Sequence, residues 1–145
     1  MRRSAIFAVL ILLCSIASAQ QLQDFDDYEI HYNALNTNNI TPQVAQSYGI
    51  RRSSSRALLN ITVLKKESGQ QGKPVQASVK ASVRNLTGQF KEVEVREITD
   101  SEDAIYYIGE FSVRNLETFD FTVKVTPQGS EEELEVKFRK QFYTE

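Results

Sequence analysis

Strict alternation of apolar and polar residues is the feature of this sequence that most limits its fold. Across residues 75–83, every odd-numbered residue is apolar and every even-numbered residue is polar. Successive side chains of a β-strand point to opposite faces, so this period of two predicts a strand with one buried and one solvated face. Such strands are typical of antiparallel sheets that cover a core on one side only.

The same alternation recurs along the chain and predicts about seven strands. They lie in residues 28–33, 59–63, 75–83, 93–95, 105–113, 119–125 and 134–142. One short helix is predicted near residues 42–48, because Thr41 can cap its start, Pro42 suits its first turn and Gly49 can end it. Short strands with few helical residues indicate an all-β, immunoglobulin-like sandwich, with a closed barrel as the alternative.

The first nineteen residues have the pattern of a secretory signal peptide. Arg2 and Arg3 form a positive start, residues 5–16 are an apolar run, and residues 17–19 fit an A-x-A cleavage site. The apolar run is shorter than a helix that spans a bilayer. We therefore expect export with cleavage after Ala19, a single domain over residues 20–145, and no integral membrane segment.

Removal of the signal changes the composition that remains. Two of the 17 basic residues leave with it, so 15 face 19 acidic residues and the formal charge is −4. A mildly acidic chain without a basic run is poorly suited to bind nucleic acid. The single cysteine, Cys14, leaves as well, so no disulfide is expected. The domain must be held by its core, and 126 residues are enough to provide one.

The pentapeptide SVRNL occurs twice, at residues 82–86 and 112–116. Both copies fit a strand end followed by a turn, because Asn bonds nearby backbone and tolerates left-handed conformations. They predict two hairpins, or two arches between sheets, in equivalent places of the sandwich. The other interpretation is a two-site binding surface built from Arg84 and Arg114.

Few residues suggest chemistry. His31 is the single histidine, so a catalytic triad or a typical zinc site would depend on it. Four carboxylates lie within residues 24–29, without EF-hand spacing, and we interpret this segment as a frayed, solvated terminus. Residues 67–74 lack the spacing of a phosphate-binding loop and are interpreted as a flexible connection. We therefore predict no catalytic residues, no metal site and no cofactor.

The segment that follows the predicted helix is the best candidate for contact with a partner. Tyr48 begins it, and Arg51, Arg52 and Arg56 make it basic. An exposed Tyr or Arg is a frequent anchor in protein interfaces. Weaker candidates for a partner-binding role are His31, Tyr106, Arg84 and Arg114.

Six short motifs resemble those of one family. They are YEIHYNAL at residues 28–35, YGIRRS at 48–53, LNITVL at 59–64, NLTGQ at 85–89, AIYY at 104–107 and QFY at 141–143. On these motifs, the chain resembles a family of small exported gamma-proteobacterial proteins whose domain has no assigned function. The resemblance implies a periplasmic protein of one domain and supplies no catalytic residues.

These observations favour a non-enzymatic periplasmic binding or accessory module. Its partner would be an envelope protein, met through exposed strand edges by strand addition and through the basic segment. The alternative is a carrier of a small ligand or cation, held by the acidic cluster or by a cleft lined with tyrosines. A third interpretation is a carboxylate-based hydrolase, because paired Asp and Glu can act without other groups.

Overall fold

Ten β-strands and one α-helix form the part of the chain that the computed structural model describes, residues 21–100 and 103–145. The predicted signal peptide and its cleavage site lie outside these residues. The strands are β1 (Gln21–Asp24), β2 (Tyr28–Asn36), β3 (Arg56–Glu67), β4 (Gln70–Pro74), β5 (Ala77–Asn85), β6 (Phe90–Val93), β7 (Arg96–Thr99), β8 (Ile105–Ser112), β9 (Glu117–Pro127) and β10 (Leu134–Phe142). Helix α1 (Pro42–Tyr48) follows a 3-10 turn (Thr37–Asn39) between β2 and β3.

The strands form two antiparallel sheets. The first has the order β1-β2-β3-β8-β7, with β4 paired to the far end of β3, and the second has the order β10-β9-β5-β6. The series β2-β3-β8-β7 opposite β10-β9-β5 corresponds to strands A-B-E-D opposite G-F-C of an immunoglobulin domain. The predicted all-β, immunoglobulin-like sandwich is confirmed, and the closed-barrel alternative is wrong.

The alternating apolar residues meet between the two sheets. Leu59, Ile61 and Val63 of β3 are fully buried, as are Val123 and Val125 of β9. Phenylalanine rings fill one part of this core in edge-to-face or tilted contact. They belong to Phe111, Phe119, Phe121 and Phe142, with centroids 5.6 to 6.4 Å apart. These rings come from strands of both sheets and join the sheets across the core.

The helix forms where the sequence predicts it. The Thr41 hydroxyl accepts a hydrogen bond from the Val44 N–H at 3.4 Å, and Gly49 ends the helix with φ of 65°. The helix buries Ala45 against Leu58 and Ile108 on the outer face of the first sheet. Within the described ranges, no helix has the length and apolar content to cross a bilayer.

The number of strands predicted from the sequence is too low. Strands β1 and β4 are almost wholly exposed and have no apolar alternation, because their ladders are completed by β2 and β3. Residues 93–95 read as one strand, but the chain changes sheets there, between β6 and β7. The count was low because pairing with a neighbouring strand overrides a weak local preference.

Two segments are more ordered than the sequence suggested. Residues 67–74 are a β-hairpin rather than a flexible connection, with the Lys73 ammonium 3.2 Å from a Glu67 carboxylate oxygen. The acidic segment 24–29 is tied to β3 rather than frayed. Lys66 donates its backbone N–H to the Asp27 carbonyl at 2.9 Å, and its ammonium pairs with the Asp24 carboxylate.

Gly109 is required where the crossing from β6 to β7 passes over β8. A Cβ at this position would lie 2.5 Å from Val93 Cγ1 and 2.8 Å from the Glu94 carbonyl oxygen. We expect Gly109→Ala to lower the free energy of unfolding by about 1–3 kcal/mol, because the backbone oxygen cannot move aside freely. Urea unfolding measures this loss. Ser112→Ala, at an exposed position of the same strand, is the control, and equal effects would contradict the close approach.

Candidate protein-binding surface

The two SVRNL copies lie side by side at one end of the sandwich. The first ends β5 and leads through a hairpin to β6 within the second sheet. The second ends β8 and crosses from the first sheet to β9 in the second. Because β5 and β9 are neighbours, with Asn85 opposite Phe119, the two turns are adjacent. The predicted pair of equivalent connections is therefore wrong, since one copy makes a hairpin and the other an arch.

The first turn is organised by the side chain of Asn85, which is only 8% exposed. Its Oδ1 accepts from the Thr87 N–H at 3.2 Å, the Thr87 hydroxyl at 2.8 Å and the Gln89 N–H at 2.9 Å. Its Nδ2 donates to Gln89 Oε1 at 2.9 Å and to Glu117 Oε2 at 3.1 Å. All of the polar capacity of this amide is used, which is how a buried Asn is stabilised.

The second turn has the same five residues but different hydrogen bonds and a different left-handed position. Glu117 Oε1 accepts from the Arg114 N–H at 3.0 Å, so the Glu117 carboxylate joins the two turns, with one oxygen facing each copy. Asn115 Oδ1 accepts only from the Thr144 N–H, at 3.0 Å. The left-handed residue of this turn is Leu116, with φ of 62°, whereas Gly88 with φ of 88° has that conformation in the first turn.

Both leucines of the repeat point into solvent. Leu86 is 65% exposed and Leu116 is 59% exposed, and they line one open groove of about 470 Å³. Tyr143, 58% exposed, lies beside Leu116, since Gln141 donates to the Leu116 carbonyl and accepts from the Tyr143 hydroxyl. Apolar side chains grouped in this way are typical of interaction sites, unlike single exposed residues.

Sequence reasoning missed these leucines, although a signal was present. Turns normally carry polar residues, yet each SVRNL copy places a leucine just after the strand-ending asparagine. The arginines named from the sequence lie at the same end. The Arg84 guanidinium donates to the Gly88 carbonyl at 3.2 Å and lies 5.3 Å from the Phe90 ring centre, while the Arg114 side chain is exposed.

The basic segment proposed from the sequence lies elsewhere and has internal contacts. The Arg52 guanidinium donates to the carbonyls of Ile40 at 2.7 Å and Asn38 at 3.0 Å, which ties the segment to the 3-10 turn. The Arg56 guanidinium lies 3.7 Å from the Glu110 carboxylate and is half-buried. These two side chains support the fold around α1.

The other two residues of the basic segment, Tyr48 and Arg51, differ in how far their side chains are available to a partner. Tyr48 packs against the small cluster beneath α1, and its carbonyl accepts from Arg96. Arg51 has an exposed side chain, with its backbone bound to the Glu110 carboxylate and the Thr37 hydroxyl. Arg51 is thus the member of this set that is best placed to meet a partner.

The remaining sequence candidates are dispersed. His31, in β2, has its imidazole 3.4 Å from the Glu29 carboxylate. Tyr106 lies on the outer face of β8 and packs against the cluster beneath α1. Within residues 21–100 and 103–145, no group of three or more His, Cys, Asp and Glu side chains is arranged to hold a metal ion.

The long edge strand β10 carries a charge in its inward-facing series. Leu134, Val136, Phe138 and Phe142 point inward, and Lys140 has the fourth of the five positions in that series, with its ammonium bound to the Ala34 carbonyl of β2. Burial lowers the pKa of Lys140. An inward-pointing charge on an edge strand opposes the pairing of a further strand. This feature disfavours strand addition at that part of β10.

Titratable groups with shifted pKa values have structural roles. The Tyr107 hydroxyl donates to Glu97 Oε1 and accepts from the Ala77 N–H, both at 2.8 Å, which links the two sheets. Burial is the main cause that raises the pKa of Tyr107 to about 12. Between β9 and β10, hydrogen bonds from Arg139 at 2.6 and 3.0 Å lower the pKa of the Asp120 carboxyl.

The fold and this surface define a small immunoglobulin-like domain with apolar side chains grouped at one end. The chain belongs to the DUF4426 family, a domain of unknown function, whose model matches residues 22–145. The expected membership of a family without an assigned function is confirmed.

A solved structure supports this assignment. A DUF4426 family protein from Pseudomonas aeruginosa is 33% identical, with a TM-score of 0.70, over 85% of this chain and 94% of that one. The yeast GGA1 GAE domain is 12% identical, with a TM-score of 0.35, over 85% of this chain and 98% of that one, a likeness that carries no argument. No curated protein matches the chain.

Proposed function

We propose that this protein is exported and acts as a non-enzymatic accessory module in the periplasm, where it docks an envelope protein through the two SVRNL turns. The observation that carries the proposal is the shared groove between Leu86 and Leu116. Burial of the two leucines against a partner contributes roughly 3–6 kcal/mol before the cost of association. The exposed Arg114 at the groove favours a partner segment with an apolar side chain next to a carboxylate.

The backbone of Leu116 supports a functional role for its side chain. A branched residue at φ of 62° is unfavourable relative to Gly at the same position. The side chain is exposed, so packing inside the domain does not explain why leucine is there. Strained residues of this kind gather at binding sites, where their cost to stability is offset by function.

The test is site-specific photocrosslinking in cells that produce the protein. A photoreactive amino acid replaces Leu86, Leu116 or, as control, the exposed Leu22 of β1. We expect one recurrent protein adduct from positions 86 and 116, absent from position 22, and lost from position 86 when Leu116→Asp is added. An adduct formed equally at position 22, or none at 86 and 116, would refute the docking surface. An adduct of the chain with itself would assign the surface to self-association instead.

Leu116→Gly separates stability from binding. Glycine adopts the left-handed conformation without a Cβ clash, so we expect the free energy of unfolding to rise by about 1 kcal/mol. The same variant removes half of the apolar groove, so crosslinking from position 86 should fall. Thermal unfolding and adduct yield measure the two effects. A variant that is both destabilised and fully active in crosslinking would show that Leu116 serves folding rather than docking.

A further inference from the structure

Strand β5 is longer than the strand β6 that covers it on one side. With β9, it pairs over its whole length, from Ala77 to Asn85. With β6, it pairs only over residues 81–84, because the chain then leaves β6 for the first sheet. Residues 77–80 therefore form a short edge, here called the β5 edge, that no other strand of the described chain covers.

The backbone of Val79 points out from the β5 edge. Successive residues of an antiparallel strand direct their N–H and C=O groups to opposite neighbours. Ala77 donates its N–H to the Tyr107 hydroxyl at 2.8 Å, on the side away from β9. Asn85 donates to the Gln89 carbonyl at 3.0 Å on the same side. Val79 alternates in step with both, so its N–H and C=O share that direction, and neither has a partner among the described residues.

The inward side chains along the β5 edge are apolar and only partly covered. Ala77 and Val79 lie next to Val95, from the crossing between β6 and β7, and all three are half-buried against the main core. Two cavities of about 530 and 560 Å³ meet at this edge, since Val79 lines both. An apolar side chain of an added strand would cover these residues and extend the core. Strand β10, by contrast, has the charged Lys140 in its inward series.

The outer face next to the β5 edge is basic. Lys80 lies directly opposite Lys124 of β9, and both side chains are exposed and line the same cavity. Lys80 has no ion pair among the described residues. Like charges on neighbouring strands are destabilising, so an acidic side chain beside Lys80 would be stabilised. Glu92 and Glu94 line this cavity from the side of β6, which disfavours an acidic side chain there.

We propose that the β5 edge binds a short extended segment of a protein partner, which adds to β5 as an antiparallel strand in the direction of β6. An apolar residue of the segment lies opposite Val79 and exchanges both backbone hydrogen bonds with it. The residue before it is acidic and lies opposite Lys80, because the added strand runs in the reverse direction to β5. The site is at the other end of β5 from the SVRNL groove and does not depend on that groove.

The probe is a tetrapeptide with both ends blocked, acetyl-Asp-Ile-Thr-Val-amide, whose first two residues would face Lys80 and Val79. Its matched control has a methyl group on the Ile nitrogen, which removes the hydrogen bond to the Val79 carbonyl and keeps every side chain. NMR titration of the isotope-labelled protein should show saturable shifts at the amides of residues 78–80, and slower exchange of the Val79 amide hydrogen, with the first peptide only. Replacement of Asp by Lys in the peptide should weaken binding about fivefold.

Three variants test the direction of the backbone and the position of the acid. In Val79→Pro, the lost N–H points out from the β5 edge, so the protein should fold and no longer bind the peptide. In Lys80→Pro, the lost N–H points to β9, so thermal unfolding should show a strong loss of stability. Lys80→Glu should reverse the charge preference and bind the peptide with Lys more tightly than the peptide with Asp.

Equal binding of the methylated peptide, or no saturable shift up to ~5 mM of the first peptide, would overturn the strand addition. Shifts confined to Leu86 and Leu116 would place the peptide in the SVRNL groove and overturn the β5 edge as its site. Line broadening at residues 77–80 that grows with protein concentration alone would mean that a second copy occupies the edge, which overturns the partner segment. A charge preference that is unchanged in Lys80→Glu would overturn the assigned position of the acid.

Discussion

Phe121→Ala is expected to lower the free energy of unfolding by about 3–5 kcal/mol, the largest loss that we predict for one side chain of this domain. The ring is fully buried and stacks on Phe138, with centroids 4.4 Å apart and planes 3° apart. Its edge contact with Phe111 has centroids 5.6 Å apart. The surrounding rings belong to strands of both sheets, so they cannot collapse into the space that the substitution leaves.

Urea unfolding measures this loss, and Phe90→Ala is the matched control. Phe90 is also a phenylalanine of the second sheet, but it lies exposed on the short edge strand β6. Its removal should cost less than about 1 kcal/mol, mainly through the contact with Arg84. Similar losses for the two variants would mean that the ring cluster does not hold the sheets together.

The core could be predicted from the sequence because each strand of a sandwich buries one face, which requires apolar and polar residues to alternate along the strand. Leu59, Ile61 and Val63 alternate with polar residues, and all three are fully buried. The same holds for Val123 and Val125 on the opposite sheet. Any sufficiently long strand of a sheet that is buried on one side shows this alternation, whichever strands pair with it.

Short exposed strands leave no such pattern. Gln21–Asp24 and Gln70–Pro74 form strands because β2 and β3 offer free backbone groups, which is a property of the neighbours and not of these residues. The crossing between β6 and β7 was equally hidden, since Val93 and Val95 keep the alternation while the chain changes sheets. Gly109 is the one sequence feature linked to this crossing, because the chain passes too close to it for a side chain to fit. The sequence alone does not reveal that approach.

The surface could be predicted only in part. The repeat drew attention to the right end of the molecule through Arg84 and Arg114, but identical letters fold into a hairpin and an arch. The difference comes from contacts far away in sequence, such as the Thr144 N–H bound to Asn115 and the Gln141 amide bound to the Leu116 carbonyl. The local conformational preference of a residue does not predict such distant partners. For the same reason, the sequence did not show that the Arg52 guanidinium bonds to the Ile40 carbonyl within the domain.

Asn85→Ala is expected to lower the free energy of unfolding by about 2–4 kcal/mol, whereas Asn115→Ala at the same position of the second SVRNL copy should cost less than about 1 kcal/mol. Asn85 makes five hydrogen bonds from a buried site, and its removal leaves two backbone N–H groups and the Glu117 carboxylate without their partner. The Asn115 side chain makes one bond, from the Thr144 N–H.

The two substitutions remove the same side chain from the same position of the repeated motif, so a difference in stability reports the different contacts of the two asparagines. Urea unfolding gives the two stabilities, and equal losses would contradict the different roles assigned to the two asparagines. The Asn85 bond to Glu117 also joins the turns that carry Leu86 and Leu116. Crosslinking from position 86 should therefore fall in folded Asn85→Ala and persist in Asn115→Ala, because a docking surface made from two turns requires the contact that holds them together.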